Sequence, residues 1–400
     1  MDAPHEDGCA SVEAESKTLE PVTKAPLGPS RRPLFSPDQA PRLAVQGWLA
    51  SRLVLLVVVL VAIWLNDWSW SETFTRWDVS HYLAIADHGY TELTQTAFFP
   101  GLPLVMAFFS LIGVPPLATG ILVSLAGSAM AALALYKLAG GRVPGAVAVI
   151  AWSFAPMAVF TFVPYSEAPF CALGFWAFLS AKRDHWGLAA VLTSAACLFR
   201  VSGLFLIGAL GLLALFGGRA TWKRRGTRVA WLGIPIATLA AYVVYLRVRF
   251  GSWTVWFDAQ AQGWGRRFDW PWNAFIETLH VADIVGSYGY ATYMMFRWEV
   301  VAFLIGIFVS VWCFVRKRVP EGGWVLSQVL AMSSQVWLIS IARSMLLWFP
   351  LFTMVGEVGG GDAGRIGNFV RRACLLALLG VEFVSMVWWA TRFFAGAWAG

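Results

Sequence analysis

Between residues 66 and 96 the chain reads NDWSWSETFTRWDVSHYLAIADHGYTELTQT, with an unusual density of groups able to do chemistry: Asp67, Glu72, Arg76, Asp78, His81, Tyr82, Asp87 and His88. The Asp78 carboxylate could take a proton from a hydroxyl. Arg76, two residues earlier, could hold a phosphate in the planar fork of its guanidinium. The same residues also fit a plainer role, in which Asp78 caps a helix and pairs with Arg76. That helix is predicted over 78–90, because Val79, Tyr82, Leu83, Ile85 and Ala86 form a helical apolar stripe. Such a stripe suits a helix lying on a membrane surface. His81 and His88 could share a face, but no third ligand has recognisable spacing, so no metal site is expected.

Three charged residues stand apart in apolar surroundings. Arg200 interrupts the apolar run 187–216, where a lone Arg at mid-helix costs about 2.5–3.5 kcal/mol on insertion scales. It must face a cavity or a partner, which leaves two roles open: a pair with Glu167 or another buried acid, or contact with a phosphate. Arg343 carries the same ambiguity. Glu167 is either a partner or acceptor-orienting group, or an acid favoured by the positive end of a helix. Trp253, Trp256, Trp264, Trp270 and Trp272 make the stretch 250–297 aromatic, fitting interface anchors or a platform for sugar or lipid. The glycines from Gly356 to Gly367 suggest a flexible connector and lack the Lys-Ser/Thr of a phosphate loop.

The elements that must position these groups are apolar helices. Of the 400 residues 58% are hydrophobic and 13% charged, with mean hydropathy +0.64; an average soluble domain is about 25% charged. A soluble enzyme, a disordered chain and a nucleic-acid module are excluded. Residues 1–42 hold seven of the 19 Pro and many charges, and are expected to be a disordered cytoplasmic tail. Residues 43–400 then form the membrane domain. Spans are predicted at 43–65, 117–136, 145–163, 166–181, 229–248, 299–315, 324–341 and 373–394, each approaching the ~20 residues a bilayer needs. Segments 97–113, 187–216 and 345–357 are harder, giving about 9–11 transmembrane helices in an all-α, polytopic integral membrane protein. Segment 187–216 is one long helix or two short ones meeting at Arg200. Four Cys lie in apolar runs and suit small buried hydrophobes, and Trp48, Trp64, Trp222, Trp324 and Trp348 suit the bilayer interface.

Basic residues follow the positive-inside rule. Arg31, Arg32, Arg42 and Arg52 place the N-terminus inside, with Lys182-Arg183, Lys223-Arg224-Arg225, Arg316-Lys317-Arg318 and Arg371-Arg372. Loops 66–96 and 250–297 then fall outside, with Arg200 if its run is two half-helices. A parity conflict remains at Lys137 and Arg142: either 97–113 does not cross, or 137–142 is outside despite its charges.

The segment TRWDVSHYLAIADHGY resembles the first-loop signature of the PIG-V-like polytopic mannosyltransferases, a GT-C glycosyltransferase family, in a bacterial (actinobacterial-type) form. Further resemblances follow in order: Phe98-Phe99-Pro100, Pro164-Tyr165-Ser166-Glu167, Leu198-Phe199-Arg200 with Gly203, Arg249-Phe250-Gly251 with Gln260, Gln262, Trp264, Arg266 and Trp270-Pro271-Trp272, and Arg343 with Phe349-Pro350. They span about 43–390. The chain departs from the family where Gly101-Leu102-Pro103 replaces Leu-Tyr-Pro, where Phe199, Val201 and Ser202 surround the central Arg, and at Ser344.

The resemblance implies a GT-C-type fold with a surface helix in the first outer loop, which would be the catalytic loop. It implies an inverting transfer of mannose from polyprenyl-phosphate mannose to a lipid, glycan or protein acceptor, at the outer face of the plasma membrane. Asp78 would be the catalytic base. Arg76, Arg200 and Arg343 would bind the donor phosphate, and Trp77, His81, Tyr82, Tyr165, Glu167 and Trp264 would contact substrate. No cofactor, metal or nucleic acid is expected. Two rivals stand beside this reading: a transporter or flippase for a lipid-linked substrate, whose paired inverted halves are not visible, and a non-catalytic scaffold subunit.

Overall fold

The computed structural model describes residues 38–218, 220–283, 290–361 and 364–397. The expected tail, with Cys9, lies outside the described residues apart from 38–42. Every regular element among the described residues is helical. By length and composition five helices can cross a membrane: Ala40–Asn66, Pro116–Leu138, Trp222–Phe250, Tyr293–Val315 and Gly367–Phe394. A sixth forms if Ile341–Leu347 and Phe349–Gly360, bent by 66°, are taken together. The other expected spans are shorter helices, including Arg142–Ser153, Glu167–Lys182, Trp186–Cys197, Ser202–Phe216 and Val319–Ser333. This is a polytopic helical membrane protein.

The bundle has two chemically different ends. Glu167 and Lys182 close the 16-residue helix Glu167–Lys182, which sets them about 22 Å apart at 1.5 Å per residue. At the Lys182 end, Lys182 and Arg318 both reach Glu321, Arg318 also pairs with Glu357 at 2.7 Å, and Arg228 pairs with Asp184 at 2.9 Å. Basic residues of three separate segments therefore gather at one end. At the Glu167 end lie the chain breaks discussed below.

Parity is resolved in favour of the first alternative. Helix Pro116–Leu138 runs parallel to Glu167–Lys182: Ser124 donates to the Tyr165 carbonyl at 3.4 Å, and Trp176 donates to the Met130 carbonyl at 3.0 Å. Lys137 therefore lies at the Lys182 end. Helix Gly101–Ser110 has 10 residues, about 15 Å long, half of a ~30 Å hydrocarbon core. It enters and leaves on the Glu167 side. The run 187–216 is two helices, Trp186–Cys197 and Ser202–Phe216. Both outer ends meet Arg228, which stacks over Trp186 and donates to the Gly217 carbonyl at 3.3 Å. Arg200 is thus at the far apex of a helical hairpin.

Four expectations are corrected. Arg52 is not a loop charge; it is buried in mid-helix, where its guanidinium donates to Thr161 Oγ1 at 2.7 Å and to the Thr161 and Ser153 carbonyls. Trp324 and Trp348 are core residues rather than interface anchors, and Trp324 donates to the Leu347 carbonyl. Cys374 is exposed, whereas Cys171, Cys197 and Cys313 are buried. Gly356, Gly359 and Gly360 do not form a flexible connector; they lie in helix Phe349–Gly360 and face Pro144 and Val147 of helix Arg142–Ser153.

The packing of Pro116–Leu138 on Glu167–Lys182 depends on Gly127, where an added Cβ would stand 2.7 Å from the Pro169 backbone nitrogen. Gly127→Leu is expected to lower the thermal unfolding temperature in detergent, corresponding to roughly 1–3 kcal/mol of overpacking. Gly208→Ala, at a position with open space around it, should leave that temperature unchanged or slightly higher.

Candidate active site

The site begins at a strained residue. Trp77 has φ 53° and ψ −124°, a conformation bulky side chains rarely adopt and one that concentrates at functional positions. It turns the chain into helix Asp78–His88. Asp78 is the first residue of this helix, not its cap; Trp77 takes the cap position, and its carbonyl accepts from Ser80. The free Asp78 N–H is met instead by the buried Tyr165 hydroxyl at 3.3 Å. The Asp78 carboxylate is thereby released from the helix end and directed elsewhere. Val79, Tyr82 and Ile85 are buried, so the expected apolar stripe does seat the helix.

Asp78 does not pair with Arg76. Arg76 lies before the helix, across the Trp77 turn, and stacks over Trp68 at 4.3 Å. The partner of Asp78 is Arg343, at 3.2 Å from Oδ2. Arg343 also lies 2.8 Å from Glu167 Oε1, and Arg200 reaches the same oxygen at 2.6 Å. Arg200 further donates to Ser166 Oγ, as does Tyr82 at 3.1 Å. Burial, aided by the Asp78 and Glu167 charges, pushes the Tyr82 phenol above its ordinary range, so it remains a donor. Arg343 lies against the Phe160 and Tyr165 rings. Glu167 Oε2 is buried without a partner. For Arg200 the residues thus form the ion pair with Glu167, at the wall of a cavity.

That cavity has a volume of about 110 Å³. Its polar lining includes Asp78, Tyr82, Ser166, Arg200, Arg266 and Arg343, with Phe98, Trp256 and Trp264 among the aromatic walls. Tyr165 and Glu167 stand directly behind. A wider space of about 630 Å³ adjoins it across Asp78 and Trp264, lined also by Trp77, Ser80, His81, Thr94 and Gly263. His81 stacks on Phe98 at 4.7 Å, and Trp264 meets the same ring edge-on. The tryptophans of 250–297 divide: Trp256 and Trp264 reach the cavity, whereas Trp270 and Trp272 are exposed and stack on each other. Of the expected site residues only Arg76 lines neither space and touches no member of the network.

Two residues complete the site without having been singled out by their chemistry. Arg266 donates to Gln260 Oε1 at 3.0 Å and to Ser340 Oγ at 3.1 Å. Burial above all, then the neighbouring Arg343, lowers its pKa to about 10. Glu299 is buried and accepts the backbone N–H groups of Ser340, Ile341 and Ala342 at 2.7–3.0 Å. It fixes the start of the short helix Ile341–Ser344 that carries Arg343. Arg266 belongs to a quoted outer-loop motif, and Glu299 is an acid at the edge of an apolar run. Gln260, Ser166 and Ser340 had no distinguishing signal beyond such motifs. The departures at Gly101 and Phe199 touch one another: Gly101 donates to the Leu198 carbonyl at 2.6 Å, and an added Cβ would lie 2.8 Å from the Phe199 ring. No group of three or more His, Cys, Asp or Glu fit to hold a metal occurs among the described residues.

Fold and site together define a multi-pass helical membrane protein with a guanidinium-lined cavity, and a carboxylate at its wall, at one end of the bundle. No protein-family model matches the chain. Over 151 residues, 34% of this chain and 30% of the relative, it is 34% identical to GPI alpha-1,6-mannosyltransferase 2 of Mus musculus. Over 213 residues, 42% of this chain and 45% of the relative, it is 29% identical to GPI mannosyltransferase 2 of Chaetomium globosum. The chain thus spans less than half the length of these curated relatives. The crystal structure of ArnT from Cupriavidus metallidurans bound to undecaprenyl phosphate aligns with 88% of this chain and 76% of that chain, at TM-score 0.48 and 14% identity.

Because the fully buried Glu167 Oε1 serves two largely buried guanidiniums, Glu167→Ala should destabilise the protein far more than Asp78→Asn. The expected loss is about 3–5 kcal/mol, the usual cost of stranding a buried charge. Thermal unfolding of both variants in one detergent checks the order, and equal unfolding temperatures would refute it.

Proposed function

We propose that this chain is an inverting glycosyltransferase of GT-C type, which moves mannose from polyprenyl-phosphate mannose to a lipid, glycan or protein hydroxyl. The observation that carries this reading is Asp78, set on the wall between a cavity with three guanidiniums and a wider aromatic space. The curated relatives support the sugar, being named mannosyltransferases.

In this reaction the acceptor hydroxyl gives its proton to the Asp78 carboxylate. Its oxygen bonds to the anomeric carbon from the face opposite the phosphate. The bond from that carbon to the phosphate oxygen breaks, and its electron pair leaves with the polyprenyl phosphate. One displacement inverts the anomeric configuration. Charge grows on the departing phosphate, where fixed cations in a water-poor cavity act most strongly. Tyr82, Tyr165 and Glu167 hold the frame, while Trp77, His81 and Trp264 offer faces and hydrogen bonds to a sugar. The transfer needs no divalent cation in principle, since in this reading the guanidiniums would take up the growing phosphate charge.

The reading also places the protein in the plasma membrane of a bacterial-type cell. Its basic clusters and N-terminus face the cytoplasm by the positive-inside rule, which leaves the cavity on the outer face.

Membranes containing the protein, supplied with radiolabelled polyprenyl-phosphate mannose, should transfer label to an extractable acceptor, with or without EDTA. Asp78→Asn should reduce the rate by about 10²–10⁴-fold, the usual range for a positioned general base. Equal transfer by both forms removes Asp78 from the mechanism, and no transfer by the wild type overturns the reading.

A further inference from the structure

Each guanidinium facing the cavity has a different commitment. Arg343 is held between Asp78 and Glu167, and Arg200 is held by Glu167 and Ser166. Both are engaged by carboxylates before any ligand arrives. Arg266 is engaged only by the neutral Gln260 and Ser340 oxygens. No carboxylate lies within ion-pair distance of it among the described residues. Glu299, a neighbouring acid, is occupied by three backbone N–H groups. Arg52 is likewise met only by neutral oxygens, but it is sealed in the bundle, whereas the half-buried Arg266 lines the cavity, where an anion can reach a guanidinium that no carboxylate neutralises.

We propose that Arg266, rather than Arg76, Arg200 or Arg343, is the primary receptor for the phosphate of a lipid monophosphate. Arg200 and Arg343 are positioning residues that hold Glu167 and Asp78. The inference rests on the transferase reading for its ligand, but not for its chemistry. A guanidinium offers one planar fork, which matches one phosphate. A lipid diphosphate would bring a second phosphate against guanidiniums already held by carboxylates. The receptor is therefore selective for one phosphate over two. Gln260 and Ser340 orient the fork, and Ser340 belongs to the turn that Glu299 clamps, so Arg266 and Arg343 are set by the same structure.

The test is equilibrium binding of radiolabelled undecaprenyl phosphate to the detergent-purified full-length protein. Arg266→Gln is expected to weaken binding by about tenfold or more, and Arg266→Lys, which keeps the charge, by only about threefold. Unlabelled undecaprenyl diphosphate should compete no better than undecaprenyl phosphate, and inorganic phosphate should compete only at far higher concentration. Binding by Arg266→Gln within about twofold of wild type overturns the assignment. Stronger competition by the diphosphate, or equal competition by inorganic phosphate, overturns the lipid-monophosphate class. Should Arg266→Gln fail to elute as a single species, Gln260→Leu with Ser340→Ala frees the guanidinium while keeping it. Several-fold weaker binding then supports the receptor role, and unchanged binding refutes it. Sugar transfer separates this proposal from the one it rests on. Wild-type transfer with an undiminished Arg266→Gln removes the receptor alone. Binding that requires Arg266, without any transfer, removes the transferase reading alone.

Discussion

One carboxylate oxygen organises the polar end of this protein. Glu167 Oε1 lies 2.6 Å from Arg200 and 2.8 Å from Arg343, and its side chain is fully buried. Without it both guanidiniums would lose a carboxylate partner in largely buried surroundings, at a cost of several kcal/mol. Through Arg343 the same network reaches Asp78, so the loop helix, the hairpin apex and the bent helix are tied by three side-chain contacts. An apolar core of the same shape could be as stable. It would not hold a carboxylate in a fixed orientation at the mouth of a cavity.

The backbone that presents these charges is broken at almost every step. Arg200 stands between two helices of 12 and 15 residues. Arg343 stands just before a 66° bend. Asp78 follows the positive-φ Trp77. Each break frees backbone N–H groups that lipid could not satisfy, and irregular backbone at membrane depth is tolerated only where protein or a cavity supplies partners. Here the partners are themselves part of the site. Tyr165 takes the Asp78 N–H, and Glu299 takes three N–H groups at Ser340–Ala342. Stabilising the breaks and orienting the charges are therefore one task, performed by the same side chains.

The sequence made the isolated charges legible. Arg200, Glu167 and Arg343 were conspicuous because each stands in an apolar run where a charge needs a partner, and they prove to be partners of one another. The loop helix was legible from its apolar stripe, although Asp78, for which a cap was one of two readings, is its first residue. What could not be read were pairings set by packing. Arg76 lies two residues from Asp78 in sequence and is turned away onto Trp68, while Arg343 lies 265 positions away and is in contact. Arg266 was hidden in a stretch rich in Arg and Trp, where nothing local distinguishes a guanidinium that lines a cavity from a solvated one. Trp324 and Trp348 sit at the ends of apolar runs like interface residues, yet Trp324 lies inside helix Val319–Ser333 and Trp348 at the bend before Phe349–Gly360, both buried in the core.

The two spaces that meet at Asp78 differ in a way that gives the proposed transfer a direction. The inner cavity has three guanidiniums; the wider space is lined by Trp77, Ser80, His81, Thr94, Gly263 and Trp264, with no Lys or Arg among them. In the proposed transfer a growing phosphate charge would be stabilised in the first and not in the second. The neutral hydroxyl would enter the second, away from the cations. Inversion requires nucleophile and leaving group on opposite faces of the reacting carbon, and the base must stand with the nucleophile. A carboxylate on the shared wall, turned by a strained Trp77 and held by Arg343, meets both demands. The asymmetry follows from where the arginines stand, all three on the inner cavity, and two of them are held there by the single oxygen that Arg200 and Arg343 share.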